Sequence, residues 1–226
     1  MTTATVTAPA PPTTGRRRAG VLAAVLAVAT VAAIPLNFRY PQPADGATEF
    51  SYADIAPIRE TFWTLQILLS VEAIIAVPAV ALGVLLLVRQ RGATLATVGA
   101  TALCLGAACY VTGTAGLATF YYFTTDPALL DPTAGARLVE EVSTGWKLYA
   151  MALPGMLLLV IGTVLQAIAL WRSRSVPRWV PIASLGIVGM FFVPSSGWAG
   201  LIVQAPIVAT GLAVAYFVWR RRAVED

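Results

Sequence analysis

The chain of 226 residues contains no histidine at all, only two cysteines and a single lysine, Lys147. Without imidazole there is no Ser-His-Asp triad, no histidine base and no Cys/His metal site. Cys104 and Cys109 fall within one apolar run and read as small core residues. Charge is scarce as well, at 12% of residues where a soluble domain carries about 25%. There is no Walker-type glycine loop, no DxxxD pair for a magnesium-bound diphosphate, no GxSxG elbow and no TVGYG-like filter. Metal and cofactor are therefore not expected. The net charge of +4 is spread in short arginine clusters between apolar runs, a pattern of membrane topology rather than of nucleic-acid binding.

What is abundant is apolar side chain, 58% of the sequence, in long unbroken runs. Runs of about 20 residues are the length needed to cross a bilayer. The expected fold class is all-α, an integral membrane bundle of about six transmembrane helices. The spans are placed at about 19–36, 62–88, 94–120, 146–171, 179–193 and 198–219. Residues 1–18 are expected to form a disordered basic tail, 19–222 the membrane domain and 223–226 a second tail. The first run, preceded by Arg16, Arg17 and Arg18, reads either as a retained helix or as a cleaved signal, and its length favours the former.

Orientation follows from the basic residues. The N-terminal tail, the turns near Arg89 and Arg172 and the C-terminus hold eleven of the fifteen. Eight of the eleven acidic residues lie on the opposite side. Both termini are accordingly placed in the cytoplasm and the protein in the cell membrane as a multi-pass protein. The two longer loops on the acidic side, Asn37 to Thr61 and Thr124 to Gly145, each have room for a short interfacial helix, and Pro194 to Gly197 reads as a tight turn.

Gly92, Gly99, Gly106 and Gly113 recur every seven residues and fall on one stripe of the third run, and Gly155 and Gly162 repeat that spacing on the fourth. Such stripes let two membrane helices approach closely. Pro78, Pro154 and Pro206 are expected to kink their helices.

Glu72 is the one ionisable residue deep inside a predicted span. An acid at that depth is costly and faces the bundle interior or a cavity, where its neutral form is a proton donor; the alternative is a structural hydrogen-bonding strut. Gln66 and Gln204 fall near the same depth and Gln166 is the third strongly polar side chain in the spans, so they make either a polar spot in a chamber or interhelical hydrogen bonds. Aromatics gather on the acidic side, including Phe62, Trp63, Tyr121, Tyr122, Trp146 and Trp198. Most read as an interfacial belt, with some available to turn inward and offer π faces to a ligand. The candidate catalytic residue is Glu72, and the candidate substrate-binding residues are Gln66, Gln204, Trp63, Tyr122 and Trp146.

The stretch Leu170-Trp171-Arg172-Ser173-Arg174-Ser175-Val176-Pro177-Arg178-Trp179 resembles the inner loop of small bacterial six-helix membrane proteins of unknown function. That resemblance covers the last three helices and implies topology. In size, helix count and possession of a lone membrane acid, the chain is similar to compact integral-membrane terpene cyclases. Those act on prenylated natural products by protonating an alkene or epoxide; no residue motif is shared. The resulting expectation is a membrane enzyme acting on a lipophilic, isoprenoid-like molecule by proton-initiated cyclisation. The alternative is a non-enzymatic lipid-binding, immunity or transporter accessory subunit. The partners this implies are membrane lipid and a lipophilic substrate, with homo-oligomers as a further option and no nucleic acid.

Overall fold

The structure, a computed structural model, describes residues 13–44, 49–143, 145–190 and 197–224. Every regular element among them is helical. Five long helices carry the architecture: α1 (Thr13–Arg39), α3 (Arg59–Leu87), α4 (Ala93–Thr124), α6 (Ala152–Ser173) and α9 (Gly197–Val224). Each contains a window long and apolar enough to cross a membrane. Their outward faces remain apolar, with Val28, Leu157 and Ile202 well exposed. An apolar belt of that extent is stable against acyl chains and not against water. The chain is a membrane-spanning helical bundle.

Four shorter helices complete it: α2 (Tyr52–Ile55), α5 (Pro132–Ser143), α7 (Trp179–Ser184) and α8 (Gly186–Met190). Helix α2 starts at a capping box, in which the Ser51 hydroxyl accepts from the Asp54 amide and the Asp54 carboxylate accepts from the Ser51 amide. Helix α5 presses Val139 into a cluster with Ile55, Phe62 and Tyr121. These two helices stand where short interfacial helices were expected.

Three boundaries differ from expectation. Helix α1 begins at Thr13, so the arginine cluster belongs to its first turns and only residues 1–12 of the expected tail fall outside the described residues. The run 179–193 is not one long helix over its described part. The chain bends at Leu185, whose amide donates to Ile182 O in a tight turn, and divides α7 from α8. Their eleven helical residues rise about 17 Å, short of the roughly 30 Å hydrocarbon core. Residues 191–193, and most of the expected turn at Pro194, lie outside the described residues. Finally, Pro154 sits in the first turn of α6, where its missing amide has no intrahelical partner to lose. The prolines that lie within helices are Pro35, Pro78 and Pro206, in α1, α3 and α9.

Packing follows from two side-chain economies. The closest pairing is α4 against α6, along the glycine stripe. A Cβ at Gly99 would stand 2.9 Å from Gly162 O, and one at Gly106 would stand 3.0 Å from Gly155 O and 2.8 Å from Leu159 N. The two backbones touch. Helix α3 packs on the other side of α4, and α1 packs on α9 and on α3. Proline-bearing α1, α3 and α9 and glycine-seamed α4 and α6 therefore form two groups, joined chiefly through α3 and α4. Between α3, α6 and α9 contact is sparse, and a cavity opens there.

The arginines gather at one end of the bundle, at the start of α1, between α3 and α4, between α6 and α7 and at the end of α9. There Arg221 donates to Leu86 O at 2.7 Å and Leu87 O at 2.9 Å, closing the last turn of α3. The opposite end is aromatic. Phe50, Phe62 and Tyr121 meet edge to face there, with Phe50–Phe62 centroids 5.0 Å apart, and Tyr40 leans on the same cluster.

Candidate functional site

The cavity has a volume of about 250 Å³. Its walls are mostly Ala, Val, Leu and Ile from α1, α3, α4, α6 and α9, with Ser184 and Ile187 of α7 and α8 closing one side. Toward the arginine end it is floored by packed apolar residues including Leu26, Val84, Leu170 and Val214. On α3 the lining runs from Glu72 to Val84, twelve residues or about 18 Å of helix.

Among the described residues, Glu72 is the only acidic or basic side chain on this wall. It stands near the midpoint of α3. Among the described residues its carboxyl has neither a hydrogen bond nor an ion pair. A strut would be engaged with a neighbouring helix; this carboxyl instead borders open apolar space. In its neutral form it has one proton to donate and a lone-pair oxygen to accept with.

Gln204, from α9, lines the same cavity and is 4% exposed. Gln166 lines it from α6 and also donates to Ala81 O of α3 at 3.3 Å. It therefore works as an interhelical tie at the cavity edge. Gln66 does not reach the cavity. Its side-chain oxygen accepts from the Tyr40 hydroxyl at 2.8 Å, under the aromatic cluster. The separation has a simple cause: Gln66 precedes Glu72 by six residues, most of two helical turns, and projects toward a different helix pair.

Trp63, Tyr122 and Trp146 also stand away from the cavity wall. Trp63 and Tyr122 contact each other with centroids 5.8 Å apart. Tyr122 donates to Glu60 Oε1 at 2.8 Å, and the Arg59 guanidinium sits over its ring at 5.5 Å. Arg59 also pairs with Asp126 at 2.7 Å. That ion pair, with the Ala128 amide, holds the Asp126 carboxyl below the ordinary carboxylate range. This group is a clamp between the start of α3 and the end of α4. Trp146 is 72% exposed and Trp198 76%, as befits a membrane-interface belt. The aromatic side chains thus divide: Phe62 and Tyr121 turn inward as packing, while Trp146 and Trp198 face outward.

Polar cavity residues beyond the sequence candidates are Asn37, Tyr110, Thr30, Thr163, Ser184 and Thr210. Tyr110 is the one aromatic side chain among the described lining residues. Its sequence signal is faint, a lone tyrosine in the middle of a helix built from Ala, Gly and Thr. Asn37 was legible only as a loop residue, because Pro35 precedes it; in the structure α1 continues through Pro35 to Arg39.

A second hollow of about 510 Å³ lies beside α5, lined by residues such as Phe120, Phe123, Leu129 and Leu138. Among the described residues, no ionisable side chain stands on its wall. No cluster of three or more Cys, Asp or Glu residues suited to a metal is present among the described residues.

No protein-family model matches the sequence, and neither a curated protein nor a solved structure matches it. The site therefore has to be read from its own chemistry.

Proposed function

We propose that this chain is a multi-pass enzyme of the cell membrane that acts on a lipophilic, isoprenoid-like molecule held in the cavity, with Glu72 as general acid. The observation that carries the proposal is the Glu72 carboxyl, without a partner among the described residues and bordering an apolar cavity inside the bundle. Clustering of the arginines at one bundle end supports placing that end, with both termini, in the cytoplasm.

The chemistry balances without a cofactor. The Glu72 O–H bond breaks as a C–H bond forms at one alkene carbon, using the alkene π pair and leaving a cation on the adjacent carbon. A second alkene of the same molecule attacks that cation and closes a ring. The Glu72 carboxylate then recovers a proton from a carbon next to the new cation, and that C–H pair becomes an alkene. The net reaction is an isomerisation. Burial away from water keeps the cation from being quenched. Gln204 contacts substrate in this reading, and Tyr110 presents the nearest π face for a developing cation. Gln66, Trp63, Tyr122 and Trp146 belong to the aromatic-end rim, where they border the approach rather than the reacting atoms.

The test is Glu72→Gln, which keeps volume and removes the acid. Wild type and variant are expressed with polyprenylated alkene and epoxide precursors, and product is measured against folded protein in the same membranes. General acids contribute roughly 10²–10⁴ in rate, so product should fall at least 100-fold at unchanged yield. Full product from the Gln variant would remove Glu72 from the chemistry. A second reading, non-enzymatic binding of a lipid, is favoured by one observation: the described residues of the cavity wall include a single aromatic, thin provision for a travelling cation. Wild-type membranes that bind the precursors yet convert none would favour it.

A further inference from the structure

Apart from Gln166 and Ser184, the polar side chains on the described cavity wall fall at two depths. Helical register shows this. A Cβ at Gly83 would meet Val214 of α9 at 2.7 Å and Leu26 of α1 at 3.9 Å, so these three residues share a level. Helix α9 runs parallel to α3, and α1 runs antiparallel to both. Eleven residues toward the aromatic end from Gly83 is Glu72. The same step from Leu26 reaches Asn37, and from Val214 it reaches Val203, beside Gln204. A second contact agrees, since Gly211 abuts Thr30 and seven residues toward the aromatic end along each helix are Gln204 and Asn37. On α4, Gly99 packs against Gln166, which bonds Ala81 of α3. Eleven residues from Gly99 is Tyr110, within one turn of Glu72. Asn37, Glu72, Tyr110 and Gln204 thus come from four helices to one level, and all four line the cavity.

A second tier, Thr30, Thr163 and Thr210, lies about 10 Å deeper toward the arginine end, the rise of seven helical residues. The Thr163 hydroxyl donates to Leu159 O at 2.8 Å and the Thr210 hydroxyl to Pro206 O at 2.8 Å. With these two protons spent on their own helices, Thr163 and Thr210 show the cavity methyl groups and lone pairs. The upper level carries the Glu72 carboxyl, which has no partner among the described residues. There Asn37 spends one amide proton on Ala33 O and keeps its side-chain oxygen as an acceptor.

We infer that this four-helix collar binds a single neutral oxygen function at one end of the ligand, an alcohol being the simplest case, while the hydrocarbon body points toward the arginine end. A pure hydrocarbon would leave the Glu72 carboxyl and the Asn37 side-chain oxygen facing apolar atoms, a cost that polar sites are known to exact. The inference shares the cavity with the proposed enzyme reading but does not require Glu72 to release a proton.

The experiment measures binding to the full chain in nanodiscs by titration calorimetry, with empty nanodiscs as background. The probes are farnesol, its hydrocarbon counterpart farnesene, and farnesylamine. Wild type should bind farnesol at least tenfold more tightly than either of the others. Asn37→Leu and Gln204→Leu should each cut farnesol binding at least fivefold and leave farnesene unchanged. Equal affinity for farnesol and farnesene in the wild type would overturn the inference, and so would tighter binding of the amine. Because a Leu variant can lose fold, a second measurement uses only the wild type. Farnesol should protect Glu72 from modification by dicyclohexylcarbodiimide, read by peptide mass, and farnesene should protect less. Equal protection by both would again overturn it. Alcohol binding without turnover would sink the enzyme reading alone; turnover without alcohol preference would sink this one alone.

Discussion

Replacing Gly106 is the sharpest probe of the bundle, because the α4–α6 seam leaves no room for a side chain. Its Cβ would stand 2.8 Å from Leu159 N and 3.0 Å from Gly155 O, both backbone atoms, where ordinary contact begins at 3.4 Å. Backbone cannot swing aside as a flexible side chain can, so the helices must part by about 0.6 Å locally. A gap of roughly 0.5–1 Å forfeits a quarter to a half of each dispersion contact it opens. Gly99 and Gly113 lie on the same seam, so the loss spreads beyond one site. In a membrane no hydrophobic drive compensates, since lipid tails are as apolar as the seam. Overpacking of this kind costs about 1–3 kcal/mol, which is the expectation for Gly106→Ala; Gly106→Leu should exceed it. The neighbouring Leu105 is 56% exposed on the lipid face, and Leu105→Ala should stay within about 0.5 kcal/mol of wild type. The assay is reversible unfolding in mixed micelles with increasing denaturing detergent, followed by far-ultraviolet circular dichroism. Equal midpoints for Gly106→Leu and Leu105→Ala would refute the close seam and everything argued from it.

Reporter fusions active only in the cytoplasm should give signal after Arg91 or Arg178 and none within Asp126 to Glu141; signal from the latter would invert the proposed orientation. Asp126→Asn should remove a component of the pH dependence of melting. The folded Asp126 carboxyl is held below its ordinary value of 3.8 by Arg59, so its contribution is present above about pH 4 and fades as pH falls through the lowered value. An unchanged acid limb in Asp126→Asn would show that the clamp adds nothing. Arg221→Ala should loosen the end of α3 by about 1 kcal/mol, because Leu86 and Leu87 lose the donor to carbonyls that have no intrahelical partner. Faster amide exchange over residues 84–88 is the readout, and unchanged exchange would mean water substitutes fully.

The sequence by itself determined the class of molecule and most of its packing logic. Apolar runs longer than a bilayer is thick can be buried only in lipid, so the spans expected at about 62–88, 94–120, 146–171 and 198–219 fall on α3, α4, α6 and α9, although α6 starts at Ala152 and not at Trp146. The heptad glycines pointed at the seam, because a residue without a side chain leaves its mark in sequence wherever helix backbones must touch. Glu72 stood out for the same reason of rarity: one acid in an apolar run is too costly to be incidental. Tertiary structure alone decided which polar residues meet. Gln66 and Gln204 look alike in sequence, yet one accepts from Tyr40 beneath the aromatic cluster and the other lines the cavity. That difference depends on which face of each helix meets which neighbour, and a run apolar on every side carries no period that tells its faces apart. The same uniformity hid the bend at Leu185 and the junction of Asn37, Glu72, Tyr110 and Gln204. Each lies on a separate helix, and only the relative rotation and register of four helices brings them to one level.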